Sequence, residues 1–176
     1  TWAAIWGAVL KDGKTDSEAQ ALTSKIFANV PVLDGGGRAA TTTFAQRNIG
    51  DALITFESEV PLIQREFGDN FDVIYPKWTV LAENPVAIVD TVVDKKGTRQ
   101  AATDYLQWLW SPEAQETAVR HHLRPRHADI LAKHADRFPQ QQSFTVKELF
   151  GGWSTLLQKH FNDGGFYDQA MAARQK

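Results

Sequence analysis

The 176-residue sequence is 43% apolar and 23% charged, the composition of a folded globular chain, which excludes a disordered one. Its formal net charge of −2 gives no electrostatic case for nucleic acid as a partner. With no cysteine it has no disulfide, thiolate metal site or cysteine nucleophile, and no apolar run approaches the length of a membrane span.

The chain opens at Thr1 already on a helical pattern, Trp2, Trp6, Val9 and Leu10, and this opening reads as a fragment entered in mid-element. Lys11-Asp12-Gly13 ends that helix. Asp16 or Ser17 is the expected cap of a second helix, with Ala19, Leu22 and Ile26 on one face. Pro31-Val32-Leu33 is a strand candidate, followed by Asp34-Gly35-Gly36-Gly37, the most permissive backbone in the chain. Thr41-Thr42-Thr43 offers hydroxyl caps for a short helix through Arg47. Further strands are expected at Ala52–Phe56, Phe71–Tyr75, Trp78–Leu81 and Val86–Val89, with a helix over Ser58–Phe67.

Asp94-Lys95-Lys96-Gly97 reads as a polar break. An amphipathic helix follows from Thr98, with Ala102, Tyr105, Leu106 and Leu109 on one face. Ser111 caps the next helix and Pro112 takes its first position. Arg124-Pro125-Arg126 interrupts it, a short helix starts near His127, and Pro139 to Gln142 is a polar stretch. Two last helices span Val146–His160 and Tyr167–Arg174, split by Asn162-Asp163-Gly164-Gly165. Strands alternating with helices predict an α/β protein with largely parallel pairing.

A strand, a glycine loop and a helix N-terminus together make an oxyanion cradle. The first helical amides lack internal partners, the macrodipole adds partial positive charge, and glycines let main chain approach a ligand. Val32 to Thr41 has this form, although glycine turns before helices are also common connections. It is neither a Walker A loop nor a GxGxxG fingerprint.

Four blocks carry more information: VLDGGGRAATTTF (32–44), NIGDALITFESE (48–59), LRPRH (123–127) and FGGW with HFNDGGFYDQ (150–153 and 160–169). In this order and at these separations they resemble the sulfate/thiosulfate-binding family of periplasmic receptors. Leu81–Gly97 and Leu109–Gln115 match the same pattern, so the resemblance covers nearly the whole chain. It implies a type II periplasmic binding protein fold of two lobes, with the N-terminal part missing from this chain. Sulfate would sit between the lobes, held by neutral hydrogen bonds. The family's backbone-amide ligand maps onto Gly37, with Gly36 beside it. Its tryptophan indole ligand maps onto Phe56, which has no donor, so one bond is lost unless Ser58 or a group outside this chain replaces it. Arg38 is expected to support the loop without touching the anion, and Thr41 to cap the helix.

Other constellations carry less. His121, His122 and His127 with Glu113 and Glu116 match no zinc spacing, so no metal is expected. Arg124 and Arg126 are expected to pair with carboxylates, and Trp110 to lie nearer the core than Trp108. Glu57 and Glu59 have no nucleophile or histidine nearby, and no Gly-x-Ser-x-Gly elbow exists, so neither an enzyme nor a cofactor is expected. The resulting expectation is a periplasmic sulfate receptor serving the membrane permease of an ABC importer. Residues 1–77 form most of the second lobe, 78–137 return to the first, and 138–176 pack at the hinge. Thiosulfate, another tetrahedral oxyanion, or no binding at all are the alternatives. The full-length receptor is expected to be monomeric, and the fragment to pair or swap.

Overall fold

The computed structural model describes residues 1–174. These fall into two compact units, one built from Thr1–Phe56, Leu62–Ala82 and Gln141 onward, the other from Glu57–Pro61 and Glu83–Gln140.

The first unit is organised around an indole-rich helix, α1 (Trp2–Lys11), with Trp2, Trp6 and Val9 buried. Helix α2 (Asp16–Ala28) packs beside it. Its cap is Thr15 rather than Asp16 or Ser17. Thr15 Oγ1 accepts from the Glu18 amide while Glu18 accepts from the Thr15 amide, a complete capping box. Asp16 is engaged elsewhere, accepting from Trp6 Nε1 at 2.8 Å and pairing with Lys159 at 2.7 Å. The buried stripe of α2 is Ala19, Thr23 and Phe27, strict i, i+4 spacing, while Leu22 is exposed. Helices α9 (Val146–Phe150), α10 (Trp153–Phe161) and α11 (Phe166–Arg174) complete this core. The expected single helix over Val146–His160 is divided because Gly151 and Gly152 both adopt positive φ, which stops one helix and starts the next.

The strands differ most from expectation. Only β1 (Trp78–Val80) and β2 (Gln142–Phe144) pair among the described residues; they run parallel, Thr79 opposite Ser143. β2 falls partly in a stretch read as polar. Pro31–Leu33, Ala52–Phe56, Phe71–Tyr75 and Val86–Val89 are irregular instead. A strand is stable only when a second backbone takes its amides and carbonyls, and no described segment pairs with these four. Most of their apolar residues stay exposed, Ile74 to 82%, while Leu53, Phe71 and Ile88 are half-buried. The glycine loop leads into α3 (Gly37–Thr41) and then a π turn (Thr42–Gln46), so helix begins four residues before the threonines that were expected to cap it. A short 3₁₀ turn (Glu57–Glu59) precedes α4 (Val60–Phe67), whose Ile63 is buried.

The second unit holds α5 (Asp90–Lys96), α6 (Arg99–Trp108), α7 (Pro112–Arg120) and α8 (Ala128–Lys133). The expected polar break is the end of α5, closed by left-handed Gly97. Ser111 caps α7 and Pro112 is its first residue, as the sequence predicts. Val119, Ile130 and Phe138 form a small core. Arg124 makes a two-pronged bond to Glu57 at 2.6 and 2.9 Å and donates to the Pro139 carbonyl, so its carboxylate partner is as expected. On α6 Ala102, Leu106 and Leu109 are half-buried but Tyr105 is exposed, and Trp110 is 57% exposed, further from the core than Trp108. That reverses the expected order of the two tryptophans, because the helix stops at Trp108 and the turn at Ser111 swings Trp110 outward.

Candidate functional site

Main chain, not side chain, dominates the glycine loop. Gly36 precedes α3 in extended conformation, with no side chain capping the helix. The Ala40 amide closes the first helical bond on the Gly36 carbonyl at 3.0 Å. Among the described residues no acceptor takes the amides of Gly36 or Gly37. A β carbon at Gly35 or Gly36 would meet nothing within 4 Å, so main chain there is open to approach. None of Gly35, Gly36 and Gly37 has positive φ. Their use is therefore access rather than the left-handed backbone that usually demands glycine.

Phe56 stands beside the first residue of α3: a β carbon at Gly37 would lie 3.9 Å from its Cδ2. The structure thus brings together the two residues singled out from sequence. The ring is 63% exposed and gives the loop an apolar flank without a donor. Ser58 lies in the 3₁₀ turn of the other unit.

Arg38 donates to Glu66 of α4 at 2.6 Å, both side chains about half exposed. Thr41 does not cap α3. It is buried in the last turn and its hydroxyl donates back to the Gly37 carbonyl at 3.1 Å, the i−4 bond that serine and threonine make inside helices. Thr42 does the same to Arg38. Thr43 instead reaches back to Asp34 Oδ1 at 3.2 Å.

Sequence reasoning missed that Asp34–Thr43 bond, and it missed His160. His160 is fully buried among Trp2, Trp6, Phe150 and Phe166, and Trp2 Nε1 donates to its Nδ1 at 3.1 Å. Burial holds its pKa below the ordinary histidine value, with the Lys159 charge adding to the effect and Asp16 opposing it. A partner 158 residues away leaves no local signal. Three of the other four histidines take separate partners, His127 the Trp110 carbonyl, His134 Glu116 and His122 Arg137.

Residues 2–124 match the model of a family described as bacterial extracellular solute-binding protein. A thiosulfate-binding protein of Pseudomonas aeruginosa is 52% identical over 96% of this chain and 51% of its own length. A sulfate-binding protein of Salmonella typhimurium is 45% identical over 94% of the chain and 51% of its length. A thiosulfate-binding protein of Escherichia coli is 43% identical over 98% of the chain and 52% of its length. The chain spans about half the length of these curated relatives. With the family model covering residues 2–124 and identities of this order along almost the whole chain, the protein belongs to the bacterial extracellular solute-binding proteins.

Proposed function

We propose that this chain is part of a periplasmic receptor that captures sulfate and hands it to the membrane permease of an ABC importer. The observation that carries the reading is the open main chain at Gly36 and Gly37, whose amides head α3 without a protein acceptor. A dianion placed there gains charge-assisted amide bonds and the favourable end of the helix dipole, with no cation required. Sulfate carries no proton at neutral pH, so a site made only of donors accepts it. The same site disfavours protonated phosphate, whose hydroxyl finds no acceptor. Two lobes, residues 1–77 with the anion loop 34–41 and residues 78–137, would close on the anion, and 138–176 would pack on the hinge side. Remaining donors would come from the half of the relatives' length that this chain does not match. The chemistry asked of the chain is reversible binding, not catalysis.

Phe56 favours a second reading, thiosulfate. A donor-free ring beside Gly37 suits a terminal sulfur better than a fourth oxygen. Amide spectra of the ¹⁵N-labelled chain, titrated with each anion, test both. A shift of the Gly37 resonance with sulfate at the lower concentration supports the first reading. A response to thiosulfate alone replaces it, and no response to either anion removes the site from this loop.

A further inference from the structure

The glycine loop carries one carboxylate, Asp34, at the place where an anion is proposed to bind. A negative charge there opposes the ligand, so its presence needs a reason. The geometry points to Asp34 and Thr43 as a latch that positions the loop, with the hydrogen bond and not the charge of Asp34 as its working part; this inference rests on the anion reading of Gly37.

Four observations carry it. Thr43 Oγ1 donates to Asp34 Oδ1 at 3.2 Å and so joins the residue before the three glycines to the end of the helical run. Thr43 is buried at 6% exposure, and its own carbonyl accepts the Ile49 amide at 3.2 Å, so it is held from both sides. It lies inside the π turn closed by the Arg47 amide on the Thr42 carbonyl at 3.1 Å. Such turns are rare in helices and are frequent at functional sites. Finally, a β carbon at Gly35 or Gly36 would meet nothing within 4 Å, so no neighbouring group crowds the loop there and the Asp34 bond is the side-chain tether at its base. Without it, three glycines in sequence would sample many conformations, and fixing them on binding would cost affinity.

The bond needs an oxygen acceptor at position 34 and a hydroxyl at 43. It does not need a charge. Asp34→Asn keeps the acceptor and removes the repulsion, whereas Thr43→Val removes the hydroxyl at nearly constant shape. Asp34→Ala breaks the same bond from the loop end and leaves the buried threonine in place.

Backbone order parameters of Gly35, Gly36 and Gly37 in the ¹⁵N-labelled chain read the latch without any ligand. The expected values are about 0.85 in the parent, falling below about 0.6 in Thr43→Val and Asp34→Ala, with Thr43→Ser and Asp34→Asn like the parent. In the sulfate titration the two latch-breaking variants require roughly tenfold more anion, the loss expected when about one loop residue must be ordered on binding, and Asp34→Asn requires the same or less. Unchanged order parameters in both latch-breaking variants overturn the proposal, whatever sulfate does. Loosening in Asp34→Asn overturns the claim that charge is dispensable. A parent chain that ignores sulfate while its variants still lose loop order leaves the latch standing and removes the receptor reading instead.

Discussion

His160 shows how far a single side chain can depend on fold. Its Nδ1 accepts from Trp2, so the ring must be neutral there, and protonation would set two donors against each other. Because burial lowers its folded pKa below the unfolded 6.5, the unfolded chain binds the proton more readily. The sign follows: the neutral ring's contribution is complete above about pH 6.5 and is lost as pH falls from there through the folded value. Thermal midpoints measured from pH 7.5 to 5 should therefore drop in the parent. They should drop less in His160→Gln, which keeps an acceptor for the indole without titrating. Asp16 acts in a lower window. The Lys159 ammonium, ahead of the Trp6 indole, holds its carboxyl below the ordinary value, so its contribution persists above pH 3.8 and fades below it. At the loop, the family resemblance pointed to Gly37 and Phe56, and the two do stand together. The partners of Arg38 and Asp34 were not legible, since a salt bridge to Glu66 and a bond to Thr43 depend on how the chain turns back.

At the level of elements, helices were read well wherever their signals are local. Ser111-Pro112 started α7, and a stripe at i, i+4 buried α1. The capping box of α2 was also in the sequence, one residue before the expected cap. Thr15→Ala should lower the thermal midpoint by about 2–4 °C, since losing such a cap costs about 1 kcal/mol. Gly7, buried in the middle of α1, makes the opposite point. Helix propensity alone argues for alanine there by about 1 kcal/mol. Yet a β carbon would run into the ring of Phe144 on β2, itself almost wholly buried, and overpacking costs about 1–3 kcal/mol. Gly7→Ala should thus destabilise in denaturant titrations despite improving the helix; a rise in the midpoint would show that Phe144 yields freely. Strands were read poorly for a related reason. Ala52–Phe56 and Phe71–Tyr75 have the right residues, but pairing is a property of two segments, and only Trp78–Val80 finds one, more than sixty residues later.

Among the described residues those irregular segments leave apolar side chains in solvent, Ile54, Phe56 and Ile74 in one unit, Val86 and Val89 in the other. Exposed apolar segments with free backbone groups are sites for association. The chain by itself should elute in size-exclusion chromatography as dimers or larger species at tens of micromolar. A soluble monomer with one sharp thermal transition would contradict this. The sequence by itself determined the family and most helix positions, because each is written in neighbouring residues: periodicity, caps, and motifs in fixed order. Only the tertiary structure decided which strands pair, that three glycines serve access rather than left-handed backbone, and that Thr43 and His160 take partners far away or across a turn. Those outcomes depend on which surfaces meet, and a surface is made of residues that the chain order does not keep together.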